Sequence, residues 1–157
     1  MAALTDFCEN KLIDWFFRAQ AIGITGATAA AGTGPATLYY ALFTATPSDT
    51  GGGTEVTGGS YARVAVTSSA ANMASTGGAT TTTNPSVGTS GTTSNNAAIT
   101  FPAPTANWGT ITSFAVFDAT TGGNMLIWGA LTTSKTVNNG DAAPSFAISA
   151  FTFQFDN

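Results

Sequence analysis

The chain has 157 residues, enough for one domain with a sizeable core. Only 8% of them are charged, against about 25% in ordinary soluble domains. Four cations, Lys11, Arg18, Arg63 and Lys135, face eight acids for a net charge of -4. Four scattered cations cannot displace the counterions of a phosphate backbone, which excludes nucleic-acid binding. No apolar run reaches the roughly eighteen residues that a membrane helix needs, so no membrane insertion is expected. A surface so poor in charge must be covered by hydroxyls, amides and small apolar groups, or by partners.

Residues 4–22 read as the only helix. Leu4, Phe7, Cys8, Leu12, Trp15, Phe16, Ala19 and Ile22 recur at helical spacing. Thr5 or Asp6 can cap the first turn, Asp6 and Glu9 suit its positive end, and Gly23 can stop it. Ile13 and Phe17 widen the apolar arc beyond one stripe, so more than one surface is needed to bury it. The helix then either plugs the end of a β-domain or docks on a neighbouring subunit through Phe7, Leu12, Trp15, Phe16 and Phe17. Cys8 is the sole cysteine, so no intrachain disulfide is possible, and within the helix it reads as a small hydrophobe. Acids within the first nine residues, with no basic lead, do not read as a secretory signal.

Residues 24–36 are a Gly/Ala/Thr linker without periodicity, expected to be flexible. Residues 37–157 follow as a β body. Thr37–Thr44 is a strand apolar on both faces, and Tyr61–Thr67 is a second with Tyr61, Arg63 and Ala65 on one side. Between them lies a long loop whose Pro47, Ser48 and Asp49 signal a turn. Residues 68–96 are a Thr/Ser/Gly-rich insertion whose composition argues against a packed core. It is either a polar loop or an extended arm ordered by neighbouring chains. Thr110–Asp118 and Asn124–Leu131 form a hairpin about Gly122–Gly123. Thr133–Val137 reads as a further strand, Asn139–Gly140 as a tight turn, and Pro144–Phe155 as a last strand with Phe151, Phe153 and Phe155 on one face. The whole predicts a mainly β chain: an antiparallel β-sandwich of about six to seven strands with one N-terminal amphipathic helix.

Chemistry is hard to find. The chain has no histidine, which removes Ser-His, Cys-His and His-metal arrangements. No Gly-rich phosphate loop or other cofactor pattern is present, since Gly51–Gly53 lacks a following helix and a nearby Lys. Asp49, Glu55, Asp118 and Asp141 lie in or beside turns. They read as turn formers rather than as a catalytic pair held about 5–9 Å apart in a cleft, and Asp49 with Glu55 matches no calcium-loop spacing. Tyr39, Tyr40, Tyr61, Trp108 and Trp128 are either core anchors or a sugar-stacking platform. Trp108, in the loop PTANWGT, either folds back on the core or meets a ligand or partner, with Tyr61 as its companion.

Several segments together carry a resemblance. The helix DFCENKLIDWFFR, the strand LYYALFTATPSDTGGGTEV, the strand GGSYARVAVT and the run ITFPAPTANWGTITSFAVFDATTGGNMLIWGALTTSKTVNNGD occur in that order. The sequence resembles small tailed-bacteriophage virion structural proteins described as tail-fibre proteins. The resemblance implies a non-enzymatic structural role in a virion, assembled in the host cytoplasm. The expected partners are copies of the chain in a small homo-oligomer, a trimer by expectation, other virion proteins, and a host surface glycan. A capsid decoration (cement) protein whose arms bridge neighbouring subunits is the alternative, and a free carbohydrate-binding module is the second.

Overall fold

The computed structural model describes residues 4–21, 34–75 and 86–155. Most of the 24–36 linker, the middle of the 68–96 insertion and the Gly23 helix stop lie outside the described residues. The described chain is mainly β, with a single helix at its N-terminus. One helix and nine strands follow in order: α1 Asp6–Arg18, β1 Thr37–Ala45, β2 Thr54–Glu55, β3 Val64–Thr67, β4 Thr92–Ser94, β5 Ile99–Thr100, β6 Gly109–Phe117, β7 Met125–Val137, β8 Ser145–Phe146 and β9 Thr152–Gln154. The count exceeds the expected six to seven because β2, β5 and β8 are two residues long, too short to show a period of two. Strands run β2-β1-β6-β7 in one sheet, with β3 also on β1, while β4 pairs with β9 and β5 with β8. Every ladder with a resolved register is antiparallel. The chain divides into two compact units: residues 1–36, 67–99 and 146–157, and residues 37–66 with 100–145.

The first unit holds α1. Thr5 caps it, accepting from the Cys8 N–H at 3.4 Å. The helix ends at Arg18, short of the expected Ile22, because Ala19 turns left-handed. Its last carbonyls find partners at once: the Gln20 N–H donates to Asp14 O at 2.9 Å, and the Gln20 side-chain amide to Arg18 O at 3.0 Å. The buried stripe is also not the expected one. Glu9, Ile13, Asp14, Phe17 and Arg18 are buried, whereas Leu4 and Phe7 stand exposed. Ile13 and Phe17, which only widened the apolar arc in the sequence, are its apolar centre.

In the described parts of the 68–96 stretch, residues 68–75 and 86–96, several side chains are nevertheless buried. Met73, Ala74, Ser75, Ser86, Thr93, Ser94 and Asn95 are all buried. Side-chain hydrogen bonds replace apolar bulk here. The Thr93 hydroxyl donates to Ala74 O at 2.7 Å, and the wholly buried Asn95 donates to Ala97 O and Ala147 O, each at 2.8 Å. Asn95 Oδ1 also accepts the Phe151 N–H at 2.9 Å. The expected strand over 144–155 is broken into β8 and β9 by a turn at 147–150, where Ser149 is left-handed and the Ala150 N–H bonds Ala147 O. The phenylalanine alternation survives: Phe151 is buried, and Phe17, Phe153 and Phe155 follow in aromatic contact at 5.2 and 4.9 Å.

The second unit is built on β1 and the hairpin of β6 with β7. Tyr40, Ala41, Leu42 and Phe43 are buried together with Ala115, Val116 and Phe117, so both faces of the sheet's centre are covered. The hairpin register runs from Phe117 opposite Met125 to Gly109 opposite Val137. Between Ile111 and Ser113 the partners jump from Lys135 to Ala130. The expected separate strand 133–137 is therefore the continuation of β7 past a bulge. The turn behaves as the Gly pair predicts: Gly122 and Gly123 both adopt positive φ, at 58° and 71°. Asp118 accepts from the Asn124 N–H and side-chain amide, both at 2.7 Å, and these bonds hold its carboxyl below the usual range.

Candidate functional surfaces

Three places concentrate polar or exposed groups: the helix, the β7 edge, and the loop side of the second unit. On the helix, the Arg18 side chain is fully buried and Nη1 donates to Asp14 Oδ1 at 2.5 Å and to Ser86 Oγ at 2.6 Å. Its Nε reaches Met73 O at 3.3 Å, and the Ser86 N–H and hydroxyl both return to Asp14, at 2.7 and 2.6 Å. Two charges out of water need such a closed set of partners. Nothing in the sequence hints at it: Asp14 and Arg18 stand four apart like any surface pair, and Ser86 lies in a stretch whose composition argues against a core.

The residues expected at a helix interface separate. Phe17 is fully buried within its own unit. Leu12, Trp15 and Phe16 are half-buried, and Phe7 is 59% exposed with Lys11 Nζ 5.7 Å above its ring. The 45% exposed Leu4 lies one turn before Phe7. Val87, also exposed, sits between Ser86, held by Asp14, and Gly88, whose carbonyl accepts from the Asn10 side chain at 3.0 Å. On the second unit β7 is the outermost strand, with Leu126 and Trp128 each 38% exposed. The Trp128 Nε1 donates to Asp49 Oδ1 at 3.2 Å.

Trp108 folds back on the core. It is buried, its N–H donates to Val137 O at 3.0 Å and its Nε1 to Gly59 O at 2.9 Å. Gly59 carries φ of 54°, and a Cβ there would lie 2.9 Å from Trp108 Nε1. Tyr61 stands edge-on to Trp108 at 5.3 Å and stacks on Phe101 at 6.3 Å. Its hydroxyl donates to Glu55 Oε1 at 3.1 Å and accepts the Leu42 N–H at 2.9 Å, doing the work of a ladder bond before β3 begins at Val64. Burial, above all, pushes the Tyr61 phenol well above its ordinary range.

Arg63 is the centre of this side. Its Nε and Nη2 grip Glu55 bidentately at 2.8 and 2.7 Å, and Nη1 donates to Ala119 O and Gly122 O at 2.9 and 2.8 Å. The guanidinium lies 3.5 Å from the centre of the Phe117 ring. One residue thereby fastens β2, the approach to β3 and the hairpin turn. The four turn-region acids are all engaged: Glu55 by Arg63, Asp118 by Asn124, Asp49 by Trp128, and Asp141 by the Asn138 N–H at 2.7 Å. No cluster of metal-ligating side chains occurs among the described residues.

The described chain is thus charge-poor and mainly β, with a partly exposed apolar helix and polar side chains engaged in fastening loops. A family model described as Podophage GP4 fiber I protein gp80 matches residues 3–154, and the chain belongs to that family. It is thus a phage fibre protein and a virion component. No curated protein matches the chain.

Proposed function

We propose that the chain is a non-enzymatic, tail-fibre or tail-associated subunit that assembles in the host cytoplasm with copies of itself and with other virion proteins. The observation that carries this reading is the family match over residues 3–154. Two surfaces support a mode of assembly. The first is the outer side of α1, where Leu4, Phe7, Leu12, Trp15 and Phe16 leave apolar area uncovered. The second is the β7 edge with Leu126 and Trp128. Phe17 has no part in the first, being inside its own unit.

Quantitative mass spectrometry of purified virions tests the placement. A handful to a few dozen copies per particle is expected. Hundreds of copies would select capsid decoration instead, and absence from the particle would end both readings. Purified protein is expected to leave host glycans uncleaved, and turnover lost on Asp49→Asn or Asp118→Asn would refute the non-enzymatic part.

A further inference from the structure

Past Val137, where β7 ends, the chain enters an exposed turn over residues 138–141. Alone among the asparagines, Asn139 is followed by a glycine, whose missing side chain leaves the backbone nitrogen open to a neighbour. The Asp141 N–H closes the turn on Asn138 O at 3.2 Å, and Gly140 carries φ of 80° at the third position, as a type II turn requires. Three further bonds tie the turn down. The Asn138 N–H donates to Asp141 Oδ2 at 2.7 Å, the Asn139 N–H to Asn107 Oδ1 at 2.8 Å, and the Gly140 N–H to Pro104 O at 3.0 Å. Pro104 and Asn107 belong to the loop that carries the buried Trp108. The Asn139 carboxamide itself makes no hydrogen bond to another described residue.

An asparagine beside an unhindered backbone nitrogen has a reaction open to it that needs only water. The Gly140 nitrogen gives up its proton to hydroxide and attacks Asn139 Cγ. The new C–N bond closes a five-membered imide, and the Cγ–Nδ2 bond breaks to release ammonia. Water then opens the imide at either carbonyl, leaving aspartate or isoaspartate with no change of oxidation state. Ring closure brings Gly140 N round to the side of Asn139 Cβ. A type II turn holds it on the other side, with ψ of about +120° at the second position, and Pro104 O engages the proton that must leave. We propose that Asn139 is a deamidation site whose rate is set by release of the 138–141 turn from Asn107 and Pro104. Conversion unfastens the turn from the Trp108 loop, because isoaspartate lengthens the backbone and either acid sets a second carboxylate near Asp141.

The test incubates the full-length, 15N-labelled chain in mildly alkaline buffer and follows its tryptic peptides by mass spectrometry, with electron-transfer fragmentation to separate aspartate from isoaspartate. Conversion at Asn139, in the peptide 136–157, is expected ahead of every other asparagine. It should run at least about tenfold slower than in urea, since the turn must first shed hydrogen bonds of ordinary net strength. Asn107→Ala, which frees the Asn139 N–H, should speed it several-fold, and Asn107→Asp, which keeps an accepting oxygen, should not. Asn124, read in the same samples, reports any general loosening of the chain. In the NMR spectrum the converted fraction should show shifted amides at residues 105–108. No conversion at Asn139, earlier conversion at another asparagine, equal rates in buffer and urea, a rate unchanged by Asn107→Ala, an equal rise at Asn124, or amides of 105–108 left in place would each overturn the proposal.

Discussion

The two units of this chain reach order by different means. In the second, two nine-residue strands and one of thirteen lie side by side, and backbone ladders with apolar side chains on both faces carry the stability. In the first, the ladder of β4 with β9 is three residues long, and a few buried polar side chains fix the backbone. A ladder spreads its free energy over many equivalent bonds, while Arg18 and Asn95 each hold several groups that no neighbour can take over. The first unit should therefore be fragile at single residues and the second tolerant.

Arg18→Met is the harshest way to probe that contrast. It leaves the 1% exposed Asp14 without its cation and should cost about 3–5 kcal/mol in chemical denaturation followed by residue-resolved NMR. Removing both charges, with Asp14→Asn added, should recover part of the loss, and full additivity would deny the coupling. Asn95→Ala comes next. It removes the side-chain partner of the Phe151 N–H and of Ala97 O and leaves Ala147 O with the Ala150 N–H alone, for about 3 kcal/mol. Arg63→Met tests the nearest counterpart in the second unit. Glu55 there keeps some water, so the loss should be about 1–2 kcal/mol. A loss as large as that of Arg18→Met would erase the distinction.

The contrast also explains what was legible in the sequence. β1 and the β6–β7 hairpin announce themselves because alternation, aromatic content and Gly122–Gly123 all point the same way. The buried stripe of α1 does not, since its polar members Glu9, Asp14 and Arg18 look like solvated positions, and nothing in the spacing shows Ser86 closing on Asp14 and Arg18 or Met73 O on Arg18. Residues 86–96 escape the hydrophobic pattern for the same reason: Thr93 and Asn95 are core residues through hydrogen bonds, which leave no such pattern. In the sequence Trp108 poses a choice between core and surface, and Gly59 makes that choice by bringing its carbonyl to the indole. The clamp made by Arg63 is out of reach, because it joins Glu55, Ala119 and Gly122 through pairings that sequence spacing does not encode.

Smaller effects sharpen the picture within the second unit. Gly59→Ala places a side chain at positive φ against Trp108 and Ala106, and should lower stability by about 1–2 kcal/mol. Asp118→Ala should have the least effect, seen as faster exchange of the Asn124 amide with little change in melting temperature. Its pH dependence has a definite sign. The folded carboxyl titrates below its ordinary value because Asn124 bonds the ionised form. The turn's contribution is thus complete above about pH 4 and fades as pH falls through the lowered folded value.

Native-state hydrogen exchange on the wild type and on Arg18→Met tests the central contrast most directly. In the variant, amides of residues 6–21, 86–96 and 151–155 should lose most of their protection while those of β1, β6 and β7 keep theirs. Equal loss of protection in β1, β6 and β7 would contradict the account, as would a variant whose first unit exchanges like the wild type.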